Sequence, residues 1–198
     1  IVSLVVLAMV FAMQPARKRA PRKKVEDKRI FLVHADNLHY NQFQNGDAQV
    51  LHGHVHFRHV GANLYCDSAH FYEQSNSFEA FGHVKMVQGD TLSLLSDYAY
   101  YDGNDQLAQA RYNVVLKHRK STLYTDSLDY DRMYNFGNFF EGGKLVDGKS
   151  TLTSDWGEYH TDTKMAMFYY DVRLKDQKMF LTTDSLYYDT SRKVANIV

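Results

Sequence analysis

Six aspartates recur along the 198-residue chain, Asp36, Asp67, Asp97, Asp126, Asp155 and Asp184, spaced 31, 30, 29, 29 and 29 residues apart. Carboxylates do acid–base work when two of them sit in different environments, so that one keeps its proton while the other has lost it. These six have matching surroundings. One residue before each stands a small side chain: Ala35, Cys66, Ser96, Thr125, Ser154 and Thr183. Equivalent acids at equal spacing read as scaffold, so no catalytic residue is assigned and no enzymatic activity is expected. The second candidate cluster is His52, His54, His56 and His59. The first three alternate onto one strand face about 7 Å apart, too far for neighbours to share an ion. No Cys or second His cluster completes a tetrahedral set, so no metal site and no cofactor is expected. Cys66 is the sole cysteine. It occupies the small-residue position of the repeat, which argues against a reactive thiolate, and it excludes an internal disulfide.

The elements that carry these residues are a repeat of about 30 residues. Three residues before each Asp stand Val33, Leu64, Leu94, Leu123, Leu152 and Leu181. Four after stand Tyr40, Phe71, Tyr101, Tyr130, Tyr159 and Tyr188, followed by a polar stretch suited to tight turns. A second apolar segment then ends in Gly53-His54-Val55, Gly82-His83-Val84, Tyr112-Asn113-Val114, Gly143-Lys144-Leu145 and Tyr170-Asp171-Val172. The sixth copy stops inside this segment, so the chain reads as cut at both ends.

Period-two alternation marks strands with one buried face. In the third copy Leu94 and Ser96 share one parity, while Asp97, Ala99 and Tyr101 share the other. If all five point inward, the phase slips between Ser96 and Asp97, as a bulge or bend requires. The six aspartates are therefore expected to mark structural bends, where their carboxylates accept backbone N–H groups freed from the ladder. Aromatics make up 14% of the chain, and no proline follows Pro21, which also favours strands. The expected fold is all-β: an open, V-shaped β-jellyroll or solenoid of about six two-strand repeats. Its two terminal units present unpaired edges, which predict strand addition by other chains or by copies of itself.

Residues 1–13 carry no charge and have the length of a signal-peptide apolar core. Residues 1–16 are read as a signal-peptide-like or anchor segment. Residues 17–29, with eight Lys and Arg, are read as a basic linker, and residues 30–198 as the repeat domain, truncated at its C-terminus. The repeat domain holds 15 basic and 21 acidic residues. That balance argues against a nucleic-acid partner.

The repeated L-x-x-D-x-x-x-Y, followed by a turn and a Gly-x-Val strand, resembles the OstA-like (organic solvent tolerance) proteins. These include the periplasmic jellyroll components of lipopolysaccharide transport, LptA and its relatives. The resemblance covers about residues 30–198. It implies a non-enzymatic protein of the Gram-negative periplasm, either free or membrane-associated, that carries the acyl chains of lipopolysaccharide (its lipid A part) toward the outer membrane. It implies pairing with other jellyrolls and with inner- and outer-membrane transport components. On that reading Val33, Leu64, Leu94, Leu123, Leu152 and Leu181 line one wall of an apolar groove. Tyr40, Phe71, Tyr101, Tyr130, Tyr159 and Tyr188 line another, and Val55, Val84, Val114, Leu145 and Val172 a third. Trp156-Gly157, a departure from the repeat, is expected to widen the groove locally. Alternatives are a membrane-anchored, LptC-like jellyroll, the N-terminal domain of an outer-membrane lipopolysaccharide assembly protein, and a right-handed β-helix enzyme acting on polysaccharide. The last lacks a distinct cluster of Asp, Lys and Arg that could serve as acid and base.

Overall fold

The structure is a computed structural model that describes residues 28–40, 47–177 and 179–197. The segment expected to be a signal or anchor, and the basic linker except Lys28 and Arg29, lie outside the described residues. Within them the chain is all strand and turn. The strands are β1 (Phe31–His34), β2 (Asn37–Tyr40), β3 (Gln49–His59), β4 (Ala62–Tyr72), β5 (Ser77–Gln88), β6 (Leu92–Asp102), β7 (Leu107–His118) and β8 (Ser121–Asp131). They continue as β9 (Phe136–Phe139), β10 (Gly143–Asp147), β11 (Ser150–Ser154), β12 (Trp156–His160), β13 (Met165–Lys175), β14 (Phe180–Asp189) and β15 (Val194–Ile197). All pair antiparallel in one sheet that does not close on itself.

The long strands cross a shared fold line. Registers jump between His52 and Val55, Phe81 and Val84, Arg111 and Val114, and Tyr169 and Val172. At these places two residues sit in left-handed conformation: Gly53 and His54 (φ 76 and 46), Gly82 and His83 (71 and 43), Tyr112 and Asn113 (63 and 52), Tyr170 and Asp171 (64 and 47). A pair of left-handed residues adds length to one strand only, so the ladder must kink. In the fourth copy only Gly142 is left-handed (φ 78), one residue before the position the repeat alignment gives, and the strand breaks there into β9 and β10.

The fold line divides the sheet into two limbs. One, the turn-side limb, carries the aromatic column toward the tips at Tyr72–Ser77, Asp102–Leu107 and Asp131–Phe136. The other, the hairpin-side limb, ends in the tight hairpins His59–Ala62, Gln88–Leu92 and His118–Ser121. The limbs pack face to face: Phe57 of the hairpin-side limb stacks on Phe78 of the turn-side limb at 4.5 Å and leans on Phe71 at 5.4 Å. Side-chain size is graded along this interior. Next to the fold line the turn-side limb carries a row of paired alanines, Ala69, Ala80, Ala99 and Ala110, and nearer the mouth it carries rings. Small residues at the corner let the limbs converge, and large ones hold them apart where they diverge.

Successive repeats are tied at the turn-side tips. The carbonyls of the left-handed residues Asn76, Gln106, Asn135 and Lys164 accept N–H bonds from Gly103, Arg132, Thr161 and Thr190 of the next repeat, at 2.8–3.0 Å. Asp102, Asp131 and Asp189 each cap their own turn, accepting two backbone N–H bonds, as turn-initiating Asp does.

Candidate functional site

The aspartate column does not point inward. All six carboxylates are exposed, and burial runs Leu94, Ser96, then Ala99, Tyr101. The phase slip therefore falls between Asp97 and Tyr98, one residue later than expected. Leaving a carboxylate in water avoids a desolvation penalty that no buried partner here would offset. The carboxylates meet side chains of the left-handed corner instead. Asp36 and Asp67 accept hydrogen bonds from Nδ1 of His54 (2.8 Å) and His83 (2.7 Å), and Asp97 from Nδ2 of Asn113 (2.6 Å). Only Asp126, among the described contacts, takes a freed backbone N–H, that of Asn113 at 3.1 Å. These bonds raise the pKa of His54 and His83 above 6.5. A side chain at Gly53 or Gly82 would collide with the Asp36 or Asp67 carboxylate, so the glycines and aspartates fit each other as pairs.

Cys66 is buried beside the fold line opposite Val55, and burial pushes its thiol up to about 12. It is a packing residue. Its column explains the small residues before each Asp: Cys66, Ser96 and Thr125 pair with Val55, Val84 and Val114 at the tightest part of the interior. His54, His56 and His59 diverge. His54 bonds Asp36, His56 bonds Asn63 and stacks on Tyr65, and His59 turns to the opposite limb.

The three apolar columns come together between the limbs. Val55, Val84, Val114, Leu145 and Val172 are buried, as are Leu64, Leu94, Leu123 and Leu152, and Leu181 packs against them half-buried. Facing them, Phe71, Tyr101, Tyr130, Tyr159 and Tyr188 are buried on the turn-side limb. Val33 and Tyr40, in the first copy, are about half exposed at the sheet's edge (48% and 53%). Trp156-Gly157 does not widen the interior. The Phe139 ring fills the space, and a Cβ at residue 157 would lie 2.5 Å from its Cζ. The limbs are in contact here: the apolar cavity bordered by Phe57, Leu64, Phe78 and Met86 measures about 10 Å³, the room one water occupies.

The aromatic column has a second role. Tyr101 OH meets Nδ1 of His59 at 2.8 Å, Tyr159 OH meets Nδ1 of His118 at 2.8 Å, and Tyr188 OH donates to Oδ2 of Asp147 at 3.1 Å. Each bond joins the tip of one limb to the tip of the other, across the mouth of the V. Arg132 reinforces the first. From a turn-side tip it donates to Tyr101 OH (2.5 Å), to the Val60 carbonyl (2.8 Å) and to Gln88 Oε1 (3.0 Å). His59, His118 and Asp147 are themselves buried. Burial raises the pKa of all three phenols, that of Tyr188 to about 12, so they stay neutral. Burial, then Arg119 and Lys164, lower that of His118, which suits a neutral imidazole accepting from a phenol. The first of these clasps shuts the mouth directly above the small apolar cavity. The signal for them was present in the sequence, because residues 59, 88, 118, 147 and 176 (His, Gln, His, Asp, Asp) form a polar column with the same 29–30-residue period.

A family model for OstA-like proteins matches residues 27–184, most of the repeat domain. The chain belongs to the OstA-like family. Among solved structures, this OstA-like chain is similar to LptH, described as the LptA homologous periplasmic component of the conserved lipopolysaccharide transport device from Pseudomonas aeruginosa. The identity is 14%, over 69% of this chain and 80% of that one, with a TM-score of 0.30, too low to equate the two architectures in detail. A search of curated proteins gave no match.

Proposed function

We propose that this OstA-like protein is a non-enzymatic bridging component of lipopolysaccharide transport. It would hold lipid A acyl chains between its limbs in the periplasm of a Gram-negative bacterium. One observation carries the reading. Apolar columns run through the interior from β3 to β14, between two limbs that no backbone hydrogen bond joins except along the fold line. An acyl chain exposed to water loses about 0.8 kcal/mol per CH₂ relative to burial. A continuous apolar track would shield it along its length. Because the limbs are in contact, loading requires them to part, which side-chain packing, the tip clasps, the Lys193–Asp147 pair and residues 28–30, bonded to His59 of one limb and Asn76 of the other, oppose.

The sheet edges support docking to other jellyrolls, to further copies, or to inner- and outer-membrane transport components. At one edge β1 and β2 pair only with β3; at the other, β15 pairs only with β14. Exposed apolar side chains cluster there: Phe31, Leu38 and Tyr40 at the first edge, Phe180 and Ile197 at the second. Exposed apolar edges template strand addition. Residues 1–16 are proposed as an export signal or, in the LptC-like alternative, an anchor; fractionation of the full-length protein separates these.

The test is photo-crosslinking in cells. A photoreactive residue at Leu94 faces the interior and one at neighbouring Leu95 faces out (2% and 42% exposed). Labelled lipopolysaccharide is expected to crosslink at 94 and not at 95. The reverse pattern would remove the interior from consideration as the lipid path.

A further inference from the structure

Away from the fold line, the outer faces of the two limbs carry opposite charge. On the hairpin-side limb one row runs in register across the strands as Tyr65, Lys85, Leu95, Val115, Tyr124, Lys144, Thr153 and Arg173. A neighbouring row adds Arg58, Lys117 and Lys175. Among the described residues the outward acids on that side stand only at the fold line, Asp67, Asp97, Asp126, Asp171 and Asp184, and none occupies an outward strand position between it and the hairpins. Arg173 pairs with Asp171, whereas Lys85, Lys117 and Lys144 have no carboxylate within 4 Å among the described residues. The other outward strand acids lie on the turn-side limb: Glu79, Asp102, Asp129, Asp131, Glu158 and Asp189, with Arg111 the one Lys or Arg facing them on those strands. The cationic face also exposes large apolar surface. Tyr65, Leu95 and Tyr124 are 41–45% exposed in the same row as the lysines.

We propose that the outer face of the hairpin-side limb docks on an anionic lipid surface. The charge layout selects that occupant. Lysines spread over a flat sheet, about 4.8 Å per strand, match a plane of headgroup phosphates. Tyrosine and leucine side chains between them suit the boundary between headgroup and acyl region, where a ring with a polar tip is stable. The lysine stems lie along apolar surface and send their ammonium groups outward. The acidic limb is repelled from the same plane, so the field orients the molecule as well as attracting it. A second copy is the poorer match, because its acidic face is already engaged. Glu79 accepts from Tyr72 and Tyr98, Asp129 pairs with Arg111, and Asp102, Asp131 and Asp189 cap turns. This surface is independent of what lies between the limbs; a failed crosslink at Leu94 leaves it standing.

The experiment is co-sedimentation of the whole chain with vesicles of phosphatidylcholine alone or mixed with phosphatidylglycerol. The wild type is expected to bind the mixed vesicles and not the neutral ones, with binding that falls as salt rises. The Lys85→Glu, Lys117→Glu, Lys144→Glu triple variant is expected to lose at least ~10-fold in partitioning. A Lys18→Gln, Arg19→Gln, Lys23→Gln, Lys24→Gln variant measures what the basic stretch contributes, and the triple reversal should still weaken binding in that background. Should the charge reversals unfold the sheet, as read by circular dichroism, the corresponding glutamine triple decides. Undiminished binding by a folded triple variant overturns the proposal. So does equal binding to neutral vesicles. A change in sedimentation coefficient without vesicles, with vesicle binding intact, would assign the face to a second copy.

Discussion

If acyl chains enter by parting the limbs, the clasps across the mouth should oppose loading, and weakening one should speed it. Tyr159→Phe is the sharpest perturbation. It removes one hydroxyl, leaves the buried ring in place, and strands Nδ1 of the buried His118. Losing a hydrogen bond and leaving its buried partner unsatisfied destabilises by about 1–3 kcal/mol. The loss falls on the closed state, because the open state exposes His118 to water. A shift of about 1.4 kcal/mol toward the open state raises the loading-competent fraction about tenfold, and apparent affinity rises by the same factor while that state is rare. Two measurements are needed on the same variant. Urea denaturation should show stability lowered by about 1–3 kcal/mol. Stopped-flow uptake of a fluorescent long-chain acyl probe should be about 5- to 150-fold faster. Lowered stability with unchanged or slower uptake would refute the reasoning, because the clasp would then hold the fold together without guarding entry.

Three further outcomes test the corner, the interior and the pH response. Gly82→Ala places a side chain at φ 71 against the Asp67 carboxylate and should destabilise by about 1–2 kcal/mol in urea; adding Asp67→Ala should recover part of the loss, and no recovery would assign the whole effect to backbone conformation. Gly157→Ala should destabilise by about 1–3 kcal/mol through the Phe139 ring, with a lowered melting temperature as the readout; a neutral result would mean that Phe139 has room to move. His118 has a pKa lowered from 6.5 by burial, so the unfolded chain binds its proton more readily; its contribution to stability is full above pH 6.5 and is lost as pH falls through the lowered value. His118→Gln should therefore show a shallower loss of stability than wild type on acidification below pH 6.5, and an identical slope would exclude His118 as the sensor. His54 and His83 act in the opposite sense: their raised values give stability that is full below pH 6.5 and fades as pH rises through them.

The repeat, the two-strand unit and the three inward columns were legible because period-two alternation and a 29-residue recurrence both survive in one chain. Leu94 and Tyr101 face the interior for the reason their parity indicated. The placement of Asp97 was not legible. Alternation reports that a phase slip exists but not which of two adjacent residues absorbs it. That choice is made by left-handed residues on the next strand, Tyr112 and Asn113, about 16 positions away in sequence. The clasps were missed for a related reason. His59 and Tyr101 are 42 residues apart and meet only because the sheet folds over. The polar column to which His59 belongs looks, in sequence, like a row of ordinary hairpin residues. The closed interior also lay beyond pattern reading, since one apolar column lines an open trough or a packed core equally well.

The hydrogen bonds that join each turn-side tip to the next have a consequence for how such a chain can change length. Asn76, Gln106, Asn135 and Lys164 each offer the same carbonyl to the neighbouring unit, which makes the units interchangeable tiles. Excising the 29 residues between equivalent positions of adjacent units leaves each surviving neighbour facing an equivalent one. Excising 28 turns oily side chains out and charged ones in for the rest of that strand. The molecule is thus a ruler graduated in whole repeats, and the distance it spans can change by one tile or not at all.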